Sequence, residues 1–284
     1  MQKDNLTFLQ ENLRYLGFGE TLPFNDQLEH EVEKGQKDFY LTTEAHFDEW
    51  SKLEATLHFR KGGQQEMYFL TKYTAALWYF ENSDLNKMQT FYIFKGAGVT
   101  LKEAFNLLQG RAVNKDLTDS EGEKYNAWIQ LDFTAKTPMN NYRTRHYRLQ
   151  YGYDLEKVLE NYPIRELQVE ELRSNLIRSL RKGNIHPVTF AMTNKIEKKY
   201  IEACPQFKTI SIYSESVRAA QRLILEKEVK GKGKATRVPA GVENPPGDIE
   251  DDGDIEKDEE KELPAEEAIT TEEPPVKKRS RKTA

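Results

Sequence analysis

The sequence predicts an α+β protein: antiparallel strand hairpins packed against short helices, followed by a disordered C-terminal tail. Three observations carry that reading. Apolar and polar residues alternate strictly at Leu53, Ala55, Leu57 and Phe59, the period-two signature of half-buried strands. Thr100-Leu101-Lys102-Glu103 has the form of a helix capping box ahead of an apolar stripe at Leu101, Ala104, Phe105 and Leu108. Beyond Lys230 there is no aromatic residue and a long acidic block, so that segment cannot bury enough surface to offset the entropy of ordering it.

The elements follow in chain order. Leu6, Leu9, Leu13 and Leu16 share a face over 5–16, which predicts an amphipathic helix, and a more polar one follows over 24–35, stopped by Gly35. The strand over 52–60 turns at Gly62-Gly63 and returns antiparallel over 66–73. The run 88–94 (MQTFYIF) is apolar on both faces and is expected inside the sheet rather than at its edge. After the capped helix, closed by Gly110, strands are expected over 124–133 and 141–151. In the first, Tyr125, Ala127, Ile129, Leu131 and Phe133 face the core, leaving Asn126, Trp128, Gln130 and Asp132 on the other side. The second is expected to bulge near its arginines. Asp154 is a natural N-cap for a helix to Glu160, and a longer helix over 166–182 points Val169, Leu172, Leu176 and Leu180 inward until Gly183 ends it. Strands over 188–192, 196–203 and 207–213 follow, the first two joined at Thr193-Asn194, and a final helix is expected over 216–229. The domain expectation is a helix-plus-hairpin subdomain at 1–98, a central α+β domain at 99–229, and an acidic tail with a basic end at 230–284.

Composition narrows the functional classes. The chain has 284 residues, a net charge of -5 and one cysteine, Cys204, so no internal disulfide or multi-cysteine zinc site is available. Residues 243–275 hold fifteen acidic residues against two lysines, while VKKRSRKTA at the end carries five basic ones; the body over 1–242 is therefore +3. That tail has the charge to bind basic partners or to screen the body's own basic face, and equally to act as a plain solvating segment. The start lacks the apolar region of a signal peptide, and no run reaches the roughly 18 apolar residues of a membrane span. The expectation is a cytoplasmic protein with no membrane association.

Little in the chain carries chemistry. The five histidines, His30, His46, His58, His146 and His186, never fall at metal-ligand spacing, and no nucleophile elbow, phosphate-binding loop or zinc-protease motif occurs. Lys95-Gly96-Ala97-Gly98 resembles a phosphate cradle but lacks the third glycine of a dinucleotide fingerprint, which favours a plain strand-to-helix turn. No cofactor, metal or small-molecule substrate is expected, and the protein is read as a non-enzyme. The positive signal is a cationic-aromatic set, Arg111, Lys115, Trp128, Arg143, Arg145, Tyr147 and Arg148: rings for stacking and guanidinium groups for phosphates on one half-exposed sheet.

The stretches ATLHFRK (55–61), GVTLKEAFNLLQGRAVNKDL (98–117), EGEKYNAWIQLDF (121–133), YGYDLEKVL (151–159), SLRKGN (179–184) and YIEACPQFKTISIY (200–213) resemble an uncharacterised domain family from conjugative transposons and related mobile elements of Bacteroidota. That family is similar to segments found beside or fused to type IA topoisomerases. It usually has a small polar residue where this chain has Cys204, which argues against a catalytic thiol. The resemblance spans 1 to about 222 and names no site. It implies an accessory role in element DNA handling, with weak nucleic-acid contact through the cationic-aromatic set. The other role compatible with the residues is a protein-interaction module that recruits or regulates a topoisomerase or relaxase; it requires an exposed apolar patch.

Overall fold

The computed structural model describes residues 2–19, 22–62, 67–119, 121–192 and 195–214. The expected helix over 216–229, the tail, and the turn residues Gly63 and Thr193-Asn194 lie outside the described residues.

Helix α1 (Gln2–Leu16) and helix α2 (Leu22–Lys34) bury Leu9, Leu13, Leu16, Leu28 and Val32 at three- and four-residue intervals, so each presents one apolar stripe. Both stripes rest on one face of a four-stranded antiparallel meander: β1 (Asp38–Ala45), β2 (Ser51–Lys61), β3 (Tyr68–Tyr79) and β4 (Lys87–Tyr92), in that spatial order. The alternation read from β2 holds, with Leu53, Ala55, Leu57 and Phe59 fully buried. Asn5 pins α1 to β3: its side chain accepts from the Tyr68 N–H at 2.8 Å and donates to the Tyr68 carbonyl at 3.0 Å.

β4 is an edge strand, not the interior strand its apolar run suggests. Its outer edge is closed by side chains instead of a fifth strand: Gln89 donates to the Tyr142 carbonyl and accepts from its N–H, and Asn141 accepts from the Thr90 N–H. An edge covered in this way carries apolar residues without offering a free ladder.

Helix α3 (Leu101–Leu108) is capped as expected, with Thr100 accepting from the Glu103 N–H and Glu103 reaching back to the Thr100 N–H. It leads into a second sheet of β5 (Val113–Thr118), β6 (Lys124–Lys136) and β7 (Tyr142–Arg148), antiparallel in the order β5-β6-β7. The ladder between β6 and β7 is irregular between Asp132 and Lys136, opposite Arg143 and Tyr142, where a bulge was expected. The strand stops at Arg148; a 3-10 turn over Leu149–Tyr151 follows and leaves Leu149 in solvent.

Asp154 caps helix α4 (Leu155–Glu160), accepting from the N–H groups of Glu156 and Lys157. Helix α5 (Glu170–Arg181) begins later than its pattern suggests, after a 3-10 turn over Arg165–Gln168. It buries Leu176, Ile177 and Leu180 but leaves Val169 and Leu172 exposed. The third sheet, β10-β9-β8, comprises β8 (His186–Met192), β9 (Lys195–Cys204) and β10 (Thr209–Tyr213).

Two hydrophobic cores result. The first gathers α1, α2, β1–β4 and α3 with Val113, Ile129 and Leu131; the second gathers α4, α5 and β8–β10 with Ala112, Trp128 and Tyr147. The middle sheet therefore lies between them, one face in each. The first core runs across the 98/99 boundary expected between subdomains, because α3 and β6 complete it.

Candidate interaction surface

The middle sheet decides the fate of the cationic-aromatic set. Trp128 does lie opposite Ile129 and Leu131, but that face is covered by the second core. The indole is 6% exposed and meets the Tyr153 ring edge-on at 5.4 Å, so it is closed to a stacking base. Tyr147 is buried beside it, its hydroxyl donating to Gln130 at 3.3 Å. Arg111 donates to the Asn106 side chain and lies 5.6 Å over the Phe105 ring; burial lowers its pKa, while Glu202, Tyr79 and Asp48 hold its charge. Lys115 is bound to Glu103 at 3.0 Å. Arg145 clasps Asp132 through Nε at 3.0 Å and Nη2 at 2.6 Å. The Thr134 hydroxyl, then Arg145, holds the Asp132 carboxyl down to about 2. Arg148 stacks 4.3 Å over Tyr125. Arg143 is exposed and makes no hydrogen bond or ion pair among the described residues. The expected open platform is thus corrected: two of its members are core, and three of its cations are engaged by side-chain partners across the fold.

The other chemical candidates resolve as structure. Lys95-Gly96-Ala97-Gly98 is a turn closed by the Phe94–Ala97 bridge and held by Asn12, which donates to the Gly96 carbonyl at 2.6 Å. Burial pushes the Cys204 thiol up, away from the nucleophilic thiolate. Lys102 is held between the rings of Phe47 and Phe105 at 4.3 Å and 4.4 Å, and burial with the nearby Arg111 lowers its pKa to about 8. No group of three or more metal-capable side chains converges among the described residues. A shallow cleft of about 300 Å³ beside α4 is lined by Glu160, Tyr162, Leu167 and Gln168 among others, with no nucleophile and base facing each other.

What the cationic-aromatic reading missed is the face of the first sheet turned away from α1 and α2. Residues across β1, β2, β3 and β4 fall there in rows set by the ladder register. Thr42, Thr56, Thr74 and Thr90 form one continuous row, with Thr74 and Thr90 joined at 2.9 Å. On one side lies the row Tyr40, His58, Lys72, Tyr92, in which Tyr40 stacks on His58 at 4.5 Å and Lys72 sits 5.8 Å over the Tyr92 ring. On the other lies Glu44, Glu54, Ala76, Met88, and beyond it Lys52 pairs with Trp78. No helix covers these rows: Tyr40 is 58% exposed, Tyr92 54%, Met88 52% and Trp78 42%. The signal was present in the polar half of the β2 alternation, but a polar face is expected wherever a sheet meets water. Only the register shows that aromatic residues of three other strands share it.

No helix among the described residues is long and apolar enough to cross a membrane. No family model matches the chain, no curated protein matches it, and no solved structure matches it.

Proposed function

We propose that this chain is a non-enzymatic accessory protein of a mobile genetic element, acting as a protein-interaction module that engages a topoisomerase or relaxase through the bare face of β1–β4. One observation carries the reading: a flat, solvent-facing sheet surface on which Tyr40, Trp78, Met88 and Tyr92 remain exposed. Contiguous apolar exposure of this kind marks interaction sites on soluble proteins. Charge favours a protein over a nucleic acid. Asp38, Glu44 and Glu54 on this face balance Lys52, Lys72 and Arg60, so it lacks the positive excess that phosphate contact requires. The mobile-element setting comes from the resemblance of residues 55–61, 98–117, 121–133 and the later stretches to that family.

The test titrates the full chain against the topoisomerase and relaxase encoded on the same element, and separately against labelled single- and double-stranded DNA at two salt concentrations. The expected result is binding to one of the proteins that Tyr92→Glu or Trp78→Glu weakens at least about tenfold, a loss of ~1.4 kcal/mol, with unchanged circular dichroism. Salt-sensitive DNA binding abolished by Arg143→Ala/Arg145→Ala, with no protein binding that depends on the face, overturns the reading in favour of nucleic-acid contact.

A further inference from the structure

We infer that, when no other protein occupies it, the bare face of β1–β4 is covered by a second copy of this chain, the two sheets stacked face to face about a twofold axis lying along the threonine row. This rests on the reading of that face as a docking surface and names an occupant for it.

Charge selects the occupant and the axis. A twofold axis in the plane of contact exchanges the rows on its two sides. With the axis along Thr42, Thr56, Thr74 and Thr90, the row bearing His58 and Lys72 in one copy lies over the row bearing Glu44 and Glu54 in the other. Tyr92 then meets Met88, ring against thioether. An axis along the strands instead keeps each row over its own kind, leaving Glu54 over Ala76 and Glu44 over Met88, carboxylates desolvated without partners. The observed pattern is self-complementary in the first arrangement alone, as an isologous interface requires.

Size and chemistry agree. Four strands about 4.8 Å apart and eight residues at about 3.3 Å each give a footprint of roughly 500 Å² per copy, or about 1,000 Å² for the pair. That is the lower bound for a specific interface, so the pair is a reversible one that a better-fitting partner displaces. Threonine at the centre keeps the surface flat enough for sheets to approach to about 10 Å. The Thr74 and Thr90 hydroxyls already bond each other, so covering them strands no donor.

The experiment is sedimentation velocity on the full chain from about 1 µM to 200 µM, a range that brackets the affinity expected of a small interface. The expected result is a concentration-dependent monomer–dimer equilibrium. Glu54→Lys and Lys72→Glu each raise the dissociation constant about tenfold, and the two together in one chain restore it, because the rows merely exchange sign. Both positions face solvent in the monomer, and far-UV circular dichroism confirms that the variants fold. A monomer throughout the range, or a dimer indifferent to both single changes, overturns the inference. If the chain is monomeric but Tyr92→Glu still abolishes binding to the topoisomerase or relaxase, self-pairing falls and the docking reading stands. If dimerisation follows the charges while neither of those proteins binds, the inference holds and that reading of the partner falls.

Discussion

His58 is the residue whose surroundings make the sharpest demand. It lies on the bare sheet face yet is itself buried, its ring flat against Tyr40, Nδ1 3.4 Å from the Thr71 hydroxyl, and Nε2 without a hydrogen bond 3.8 Å from Asp38. Burial and the Lys72 charge lower its pKa, Asp38 works against them, and Arg60 adds to the lowering. The folded protein therefore holds this proton less well than the unfolded chain, whose imidazole titrates near ~6.5. Stability is intact above that value and declines as the pH falls towards the lower folded pKa. Burial lowers His186 as well and adds to the decline, whereas Glu202, raised by burial, acts in the opposite sense. Urea melts at successive pH values should show a midpoint that is flat above neutrality and falls below about 6.5. His58→Gln should make that fall shallower than in the wild type; an unchanged slope means that His58 is not held neutral. The same neighbourhood shows what a linear chain reveals. The alternation placing His58 on the polar side of β2 is visible in sequence, but its stacking partner comes from β1, a strand with no clean pattern in DFYLTTEA. Arg145 is a parallel case: its carboxylate partner, Asp132, sits on the neighbouring strand, and only the register brings them together.

At the scale of elements, local signals proved readable and positional ones did not. The capping box at Thr100 and the Asp154 cap are chemistry within four residues, and both form as their sequences demand. Whether a strand is central or at an edge depends on distant chain, which is why β4 misleads: Asn141 and Gln89 replace the strand its apolar run requires. β5 was missed for a similar reason, since VNKDLT is half polar and is held by its pairing with β6. Glycines after helices show the same division. Gly35 and Gly183 both follow helices with positive φ, +69° and +75°, and both read as helix stops. A Cβ at Gly35 meets nothing within 4 Å, but at Gly183 it lands 2.8 Å from the Ala112 carbonyl oxygen and 2.9 Å from Val113. Gly183 is where α5 closes onto the strand shared by both cores. Gly35→Ala should therefore cost about 1 kcal/mol, the penalty of the left-handed backbone, and Gly183→Ala at least ~1 kcal/mol more for the overlap. Equal shifts in urea midpoint would show that the α5–β5 contact relaxes freely.

For the molecule as a whole, the decisive feature is a sheet with no solvent face. Expecting an exposed Trp128 was reasonable for an isolated antiparallel sheet, where one side packs and the other is wet. Alternation tells which residues oppose each other, not whether a second layer arrives, and here α4, α5 and β8–β10 supply that layer. Consecutive residues of β6 consequently belong to different cores, Trp128 to the second and Ile129 to the first. Neither core can lose its packing without exposing one face of β5–β6–β7, so the two should melt as one unit rather than as separate subdomains. Trp128→Ala, which empties a buried indole site in the second core, should cost about 3–5 kcal/mol, and Leu57→Ala in the first about 2–5 kcal/mol. Each should lower one shared transition, with far-UV circular dichroism and tryptophan fluorescence coincident in denaturant. Trp50 and Trp78 report on the first core's sheet, so a Trp128→Ala variant still shows whether damage in the second core reaches it. Were that variant to split the curve, with Trp50 and Trp78 unfolding at the wild-type midpoint, the shared sheet would be a contact between independent domains and not the element that joins them.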